Sequence, residues 1–181
     1  MKIPIVEYDS RWVELYRREA ERIRGALGER ALRVEHAGST AVPGLPAKPV
    51  IDVVLAVADS GDEGAYLPDL ERAGYVLRFQ EPEWYQHRLL NGPEAEVNLH
   101  VFSAACEEVA RMVAFRDWLR ENAADRDLYA RTKLELAARE WSSVQEYAEA
   151  KTAVIGEIMG RANPSGPTSE PGQPGFERRP V

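Results

Sequence analysis

The stretch that decides the fold of this 181-residue chain is HAGSTAVPGLPAKPVID, which runs from His36 to Asp52. It joins a short predicted strand around Leu32–His36 to Val50–Val57, an apolar run that is broken only by Asp52. A continuous apolar run of this length is typical of a central strand covered on both faces. Three prolines stiffen the loop between the two strands, which lowers the entropy lost when a ligand binds there.

Several side chains of this loop have the chemistry of an anion site. Gly38 lets the backbone approach a ligand closely, and Ser39 and Thr40 add hydroxyl donors. Lys48 brings a cation into the loop. Asp52 is predicted to lie on a buried strand, where its charge needs a partner or a metal. The alternative is a rigid surface connection in which Asp52 caps loop amides. The Gly-x-x-x-x-Gly-Lys-Ser/Thr order of a P-loop is absent.

The rest of the chain predicts one α/β (α+β) domain. Helices are expected at about Asp9–Leu27, Glu63–Ala73, Glu107–Glu121, Asp125–Glu140 and Val144–Met159, and further strands at Tyr75–Gln80, Glu83–Leu90 and Glu96–Phe102. This order predicts a mixed β-sheet packed by helices, with a C-terminal helical half, and not a repeating βαβ array. We expect the domain to cover residues 1–162. Residues 163–181 are rich in Pro and Gly with few apolar side chains, which predicts a disordered tail.

Composition narrows the classes of partner. The formal net charge of −7 argues against an extended nucleic-acid surface, which needs a basic stripe. No window approaches the ~20 apolar residues of a membrane span, and the N-terminus lacks the apolar stretch of a signal peptide. The single cysteine, Cys106, cannot form an internal disulfide. We therefore expect a cytoplasmic protein with a small-molecule substrate and without nucleic-acid or membrane partners; the sequence leaves the oligomeric state open.

Two later strands carry polar side chains at alternating positions. Period-two alternation puts Glu96, Asn98 and His100 on one face, where they could supply metal ligands or a general base. The alternatives are an ordinary solvated strand face and a buried histidine bonded to backbone. On the preceding strand we expect Arg88 to point to the same cleft and His87 to face the other way.

Cations inside apolar helix stripes give a second, independent indication of an anion pocket. Lys151 and Arg116 fall within the apolar stripes of their helices, and Lys133 lies on the flank of another. A cation in such a place must pair, snorkel or reach a pocket. Cations aimed inward beside a Gly-Ser loop are what a phosphate or carboxylate requires. The alternative is internal pairing, for instance of Arg116 with Glu19.

The stretch at residues 36–52 closely resembles the signature of the GrpB family, a branch of the nucleotidyltransferase (DNA polymerase β-like) superfamily. A domain of this kind is also fused to some bacterial dephospho-CoA kinases. The resemblance continues through Asn98-Leu99-His100-Val101, Phe115-Arg116-Asp117-Trp118-Leu119-Arg120, Tyr129 with Lys133, and Tyr147 with Lys151. It thus covers nearly all of the predicted folded region.

The resemblance implies a nucleotidyltransferase core. In that superfamily a Gly-Ser turn cradles the triphosphate, and a nearby strand carries Asp-x-Asp or Asp-x-Glu for a divalent metal. Here Gly38-Ser39 and Asp52 match, whereas Val54 stands at the position of the second carboxylate. A two-metal site needs several hard oxygen ligands close together, so a single acid is a weak platform for polymerase-like chemistry.

The resulting hypothesis is an enzyme that binds a nucleoside triphosphate, ATP with Mg²⁺, and transfers or activates at the α-phosphate; an adenylate-forming amide ligase is one form of this hypothesis. Its predicted catalytic residues are Asp52, His100 and Lys151. Its predicted nucleotide-binding residues are Gly38, Ser39, Thr40, Lys48, Arg88, Arg116 and Lys133, and its predicted metal ligands are Asp52, Glu96 and Asn98. The alternatives are a non-catalytic nucleotide- or small-anion-binding module and a protein-interaction domain.

Overall fold

The computed structural model describes residues 1–94 and 96–164. Its helices are α1 (Arg11–Leu27), α2 (Leu67–Arg72), α3 (Glu107–Glu121), α4 (Ala123–Ala137), α5 (Val144–Ala150) and α6 (Thr152–Ala162). Its strands are β1 (Arg33–Ala37), β2 (Ile51–Val57), β3 (Val76–Glu81), β4 (His87–Asn91) and β5 (Val97–Ser103). The predicted tail, residues 163–181, lies outside the described residues except for its first two. No helix in the described ranges is long and apolar enough to cross a membrane.

The strands form one mixed sheet in the order β1-β2-β5-β4-β3. β2 and β5 run parallel, and the other neighbours are antiparallel. β2 is buried along its whole length, as its apolar run predicts. The predicted mixed sheet packed by helices is therefore confirmed.

The two faces of β2 serve different purposes. Val53 and Leu55 point to one face, where they join a core cluster with Ile23 of α1. Val54 points to the other face and packs with α3. Because side chains alternate along a strand, Asp52 shares this second face. The acid is thus placed between the sheet and the C-terminal helices.

The loop between β1 and β2 is anchored by the helical half of the domain. Val42 and Leu45 are fully buried and belong to one cluster with Leu119, Tyr129 and Ile158. These residues come from α3, α4 and α6. The loop is therefore part of the core and not a surface connection.

Two predicted helices differ in their bounds for local reasons. The predicted C-terminal helix is divided into α5 and α6 at Lys151, whose N–H donates to Ala148 O, three residues back, in the tighter geometry of a closing turn. The predicted helix from Glu63 begins as a 3₁₀ turn, and α2 starts only at Leu67, with Pro68 in its first turn.

Candidate functional site

A cavity of about 510 Å³ lies on the second face of the sheet, bounded by the loop and the C-terminal helices. This volume is in the range of small-molecule sites. The predicted residues that line it are Gly38, Ser39, Thr40, Lys48, Asp52, Glu96, Asn98, His100, Arg116 and Lys133. The sheet register explains part of this grouping, because Asp52 pairs with Asn98 across β2 and β5.

Gly38 is required by a close contact between the loop and the acid. Its φ is +71°, a conformation that favours glycine. A Cβ at this position would lie 2.6 Å from Asp52 Oδ2. The loop backbone and the Asp52 carboxylate are therefore packed directly against each other, as the predicted site needs.

This contact predicts that Gly38→Ala is more damaging than Gly44→Ala, a matched control. Gly44 has a φ of +80° but nothing within 4 Å of its would-be Cβ. Both substitutions incur about 1 kcal/mol of backbone strain, and Gly38→Ala adds overpacking of about 1–3 kcal/mol. Urea unfolding of the two variants measures the difference. Equal losses would contradict the contact.

Lys133 reaches from α4 to the loop and is almost completely buried. Its Nζ donates to Ser39 Oγ at 2.9 Å and to Pro46 O at 2.5 Å, and it lies 4.8 Å from the centre of the Tyr129 ring. Burial lowers the pKa of Lys133 to about 7. At neutral pH this amine is therefore present in both the neutral and the protonated form, and a nearby negative charge stabilises the protonated form.

Lys151 lies deeper, at the break between α5 and α6. Its Nζ is 4.4 Å from the centre of the Tyr147 ring. Burial lowers the pKa of Lys151 well below its usual value, the charges of Lys133 and Lys48 lower it further, and Asp52 acts in the opposite direction. We call Lys48, Lys133 and Lys151 the lysine cluster. Lys48 and Lys133 line the cavity together with Asp52, and an entering anion would favour the protonated forms of the amines.

His100 connects Asp52 to a second histidine. His100 Nε2 lies 3.0 Å from Asp52 Oδ1, and His100 Nδ1 lies 3.0 Å from His87 Nε2. Both histidines are buried. The predicted alternation on β5 thus places His100 beside the acid, where it orients and polarises the carboxylate.

The donor set does not fit the magnesium site that the sequence predicts. Among the described residues, no three His, Cys, Asp or Glu side chains converge as a metal site would need. Asp52 Oδ1 faces His100, and Asn98 Oδ1 accepts a hydrogen bond from Asn91 Nδ2 at 3.1 Å. Val54 is fully buried among apolar side chains. The described residues therefore do not supply the set of oxygen ligands that a two-metal site needs.

Arg116 lines the cavity but is already matched by acids. Its Nη1 donates to Glu35 Oε2 at 2.6 Å, and its Nε donates to Asp117 Oδ1 at 2.9 Å. This geometry does not support its predicted role in holding phosphate. Arg116 is thus paired internally, as the alternative interpretation expects. The suggested partner, Glu19, is wrong, because Glu19 accepts a hydrogen bond from Tyr75 instead.

Arg88 faces away from the cavity, contrary to the prediction. It pairs with Val101, which belongs to the core on the α1 face, and its Nε donates to Glu63 Oε1 at 2.8 Å. His87 takes the cavity side of β4. The alternation of the two residues is right, but the choice of face is wrong, because the register of β4 on β5 pairs Arg88 with Val101 on the α1 face.

Thr40 stabilises the loop and has no hydroxyl hydrogen to offer a phosphate. Its Oγ1 donates to Val50 O at 3.1 Å and lies 3.0 Å from His36 Nε2. Burial, with smaller effects from nearby arginines, lowers the pKa of His36 to about 3, so the neutral ring donates its Nε2–H to Thr40. The predicted phosphate contact by this hydroxyl is not supported.

Several cavity residues were not predicted from sequence. Tyr129 and Tyr147 each stand four residues before a buried lysine, and this repeated Tyr-x-x-x-Lys spacing was a readable signal. Glu108 of α3 also lines the cavity, and burial raises its pKa to about 7. An acid in the first turn of a helix gives no such signal, since it is usually solvated.

A family model described as GrpB protein matches residues 2–161, so the chain belongs to the GrpB family. It is 58% identical over 161 residues to UPF0157 protein BH1888 of Halalkalibacterium halodurans, covering 89% of this chain and 83% of that protein. The crystal structure of GrpB from Enterococcus faecalis superposes with a TM-score of 0.78 at 33% identity, covering 88% of this chain and 96% of that one.

The predicted relation to kinase-fused domains is also confirmed. The chain is 30% identical over 175 residues to a dephospho-CoA kinase of Mycobacterium tuberculosis, covering 81% of this chain. The match takes in only 42% of that protein. The likeness therefore concerns a part of that protein and transfers no kinase activity to this chain.

Proposed function

We propose that this protein binds a nucleoside triphosphate, ATP, in the cavity and transfers or activates at its α-phosphate. The phosphates lie against the Gly38-Ser39 turn and the lysine cluster. The observation that carries the proposal is that Lys48 and Lys133 line the same cavity as the Gly38-Ser39 turn, with Lys133 Nζ donating to Ser39 Oγ at 2.9 Å. Buried like charges are costly unless a counter-charge is supplied, and a triphosphate supplies it.

The chemistry follows from the groups that meet around Asp52. The lysine cluster neutralises the charge that develops on the leaving pyrophosphate. Asp52, oriented by His100, accepts the proton of a hydroxyl or amine acceptor as it attacks the α-phosphate. A carboxylate acceptor would need no base and would give an adenylate that an amine then attacks. The sequence resemblance to nucleotidyltransferases supports attack at the α-phosphate.

The remaining cavity wall suits an uncharged group. Met112, Phe115, Ile155 and Met159 contribute apolar surface from α3 and α6. An aromatic base or the apolar part of an acceptor would fit there, with its polar end toward Glu108 or Arg111. The cavity thus combines a cationic region with an apolar one.

One observation favours a second candidate, a nucleotide-binding module without catalysis. Val54 occupies the place of a second carboxylate, and it packs in a buried apolar cluster with Phe102, Val109 and Met112. An Asp introduced there would face apolar side chains. Phosphate binding by lysines needs no second acid, whereas metal-dependent transfer does.

Isothermal titration with ATP, in Mg²⁺ and in EDTA, separates these candidates. We expect binding in both conditions, because the cations that hold the phosphates belong to the protein. Pyrophosphate release with a panel of amine, hydroxyl and carboxylate acceptors identifies the enzyme. Binding without release favours the module, and the absence of binding in both conditions would contradict the proposal.

The low pKa of Lys133 predicts that ATP binding takes up protons. Its amine is largely neutral above pH 7 in the unliganded protein, and a bound phosphate raises its pKa. The affinity for ATP should therefore fall as pH rises from 7 to 9. Calorimetry at pH 8 in buffers with different ionisation enthalpies measures the uptake. A binding enthalpy independent of the buffer would contradict this assignment.

A further inference from the structure

Four titratable side chains form a continuous line across the sheet to the cavity. Glu81 Oε2 lies 2.7 Å from His87 Nδ1, His87 Nε2 lies 3.0 Å from His100 Nδ1, and His100 Nε2 lies 3.0 Å from Asp52 Oδ1. We call this line the Glu81–Asp52 chain. It begins on the edge strand β3, crosses β4 and β5, and ends on β2.

The two histidines in the middle of the Glu81–Asp52 chain are shielded from solvent by aromatic side chains. His87 and His100 are both 2% exposed, and His87 is stacked on Phe102 at 4.8 Å between ring centres. The ring of Trp84 packs edge-on against His87 at 5.1 Å. Only the Glu81 end, whose side chain is 20% exposed, meets solvent, while Asp52 meets the cavity.

The three contacts of this chain need one hydrogen more than two neutral histidines carry. An ionised carboxylate accepts only, so each of the three contacts needs one hydrogen on a ring nitrogen. Two neutral imidazoles carry two such hydrogens. With both ends ionised, the third contact requires a third proton, or two lone pairs face each other at 3.0 Å.

The charges around the chain indicate where this proton resides. Burial lowers the pKa of His87 to about 4, with Glu81 opposing and the charges of His100 and Arg88 adding to the effect. Burial therefore disfavours a second proton on the His87 ring. Asp52 lines the cavity whereas Glu81 lies on the edge strand, so the Asp52 end is the one that can exchange protons with a ligand.

We propose that Glu81, His87 and His100 form a proton relay that carries protons between Asp52 and the solvent-facing edge of the sheet. Its use in catalysis rests on the proposed function. The acceptor loses one proton to Asp52 Oδ2 as it bonds to the α-phosphorus, and pyrophosphate leaves with the electrons of the broken P–O bond. Protons shift along the chain, and one leaves to water at Glu81, so that no charge accumulates beside the lysine cluster.

Two conservative variants give opposite readouts in the relay. In Asp52→Asn, the new amide donates to His100 Nε2, so both histidines become neutral with hydrogen on Nδ1. In Glu81→Gln, the new amide donates to His87 Nδ1, and both become neutral with hydrogen on Nε2. A merely structural role for the pair would not reverse the tautomers in this way.

¹⁵N NMR of histidine side chains tests the relay in the unliganded protein. The chain has three histidines, and His36 serves as a neutral internal reference. At pH 7 we expect one doubly protonated imidazole in the wild type and the two opposite tautomer sets in the variants. Two neutral histidines in the wild type would overturn the relay without any variant, and the same tautomers in two folded variants would also overturn it.

A second readout separates this inference from the proposed function. In an active enzyme, Glu81→Gln should keep ATP affinity, lower the turnover number about tenfold or more and displace its pH profile. If the tautomers reverse as stated but ATP does not bind, the proposed function fails and the relay stands. If ATP is turned over with an unchanged pH profile in Glu81→Gln, the relay fails alone.

Discussion

Lys151→Met should abolish ATP binding and yet raise the melting temperature. The substitution keeps the length of the side chain but removes an amine that is buried completely among Tyr147 and the other lysines of the cluster. Loss of one buried cation from a phosphate site should weaken binding at least about 100-fold, a cost of about 2.7 kcal/mol. Folding transfers this amine from water to a buried position that disfavours its charged form. Its replacement by an apolar side chain should therefore stabilise the fold.

The sign of the stability effect follows from linkage. Lys151 has a lowered pKa in the folded state, so the unfolded chain binds more protons at neutral pH and stability rises toward pH 10. The advantage of Lys151→Met should therefore be largest near pH 7 and shrink as pH rises. We expect a gain of about 3 °C or more at pH 7, since about 1 kcal/mol corresponds to 2–4 °C in a domain of this size.

Calorimetric titration and thermal melts at pH 7 and pH 9.5 check both parts. Lys2→Met, which removes an exposed lysine outside the cavity, is the matched control and should change neither quantity. A variant that binds ATP like the wild type, or one that melts lower with no loss of binding, would contradict a ligand-directed role for Lys151.

Asp52→Asn should abolish turnover while leaving the melt nearly unchanged. The amide is isosteric with the carboxylate, so it fits beside Gly38 and keeps a contact with His100. It does not accept the proton of the acceptor, and loss of a general base costs about 10²–10⁴-fold in rate. Removal of a negative charge beside the lysine cluster should at the same time strengthen ATP binding.

Pyrophosphate release and ATP affinity, measured on the same preparation, distinguish this result from simple unfolding. Asp127→Asn, on an exposed position of α4, is the matched control and should match the wild type in both. A large fall in melting temperature for Asp52→Asn would instead favour a structural role for the carboxylate in holding the loop.

The sequence predicts the loop and β2 well because both are dictated locally. A continuous apolar run specifies a buried strand, and one acid in such a run has to be satisfied by its surroundings. The contact of Gly38 with Asp52 follows from the same stretch. The apolar stripe around Lys151 likewise predicts its inward position, whereas Lys133, which the sequence places on the flank of its stripe, is just as deeply buried.

The errors arise where the face of a side chain depends on distant packing. Alternation along β4 separates Arg88 from His87, but only the pairing with β5 decides which of them lies on the cavity side of the sheet. An arginine within an apolar stripe indicates that some acid pairs with it but does not identify that acid. The pairing of Arg116 with Glu35 therefore cannot be predicted from the sequence. The Glu81–Asp52 chain spans four strands and leaves no local pattern at all.

The most direct test of the account is a crystal structure of the protein with a non-hydrolysable ATP analogue. We predict that its phosphate oxygens lie within hydrogen-bond distance of Ser39 and of the amines of Lys133 and Lys151, with the α-phosphate facing Asp52. An analogue bound elsewhere, or a cavity occupied with no phosphate contact to the lysine cluster, would contradict the central claim.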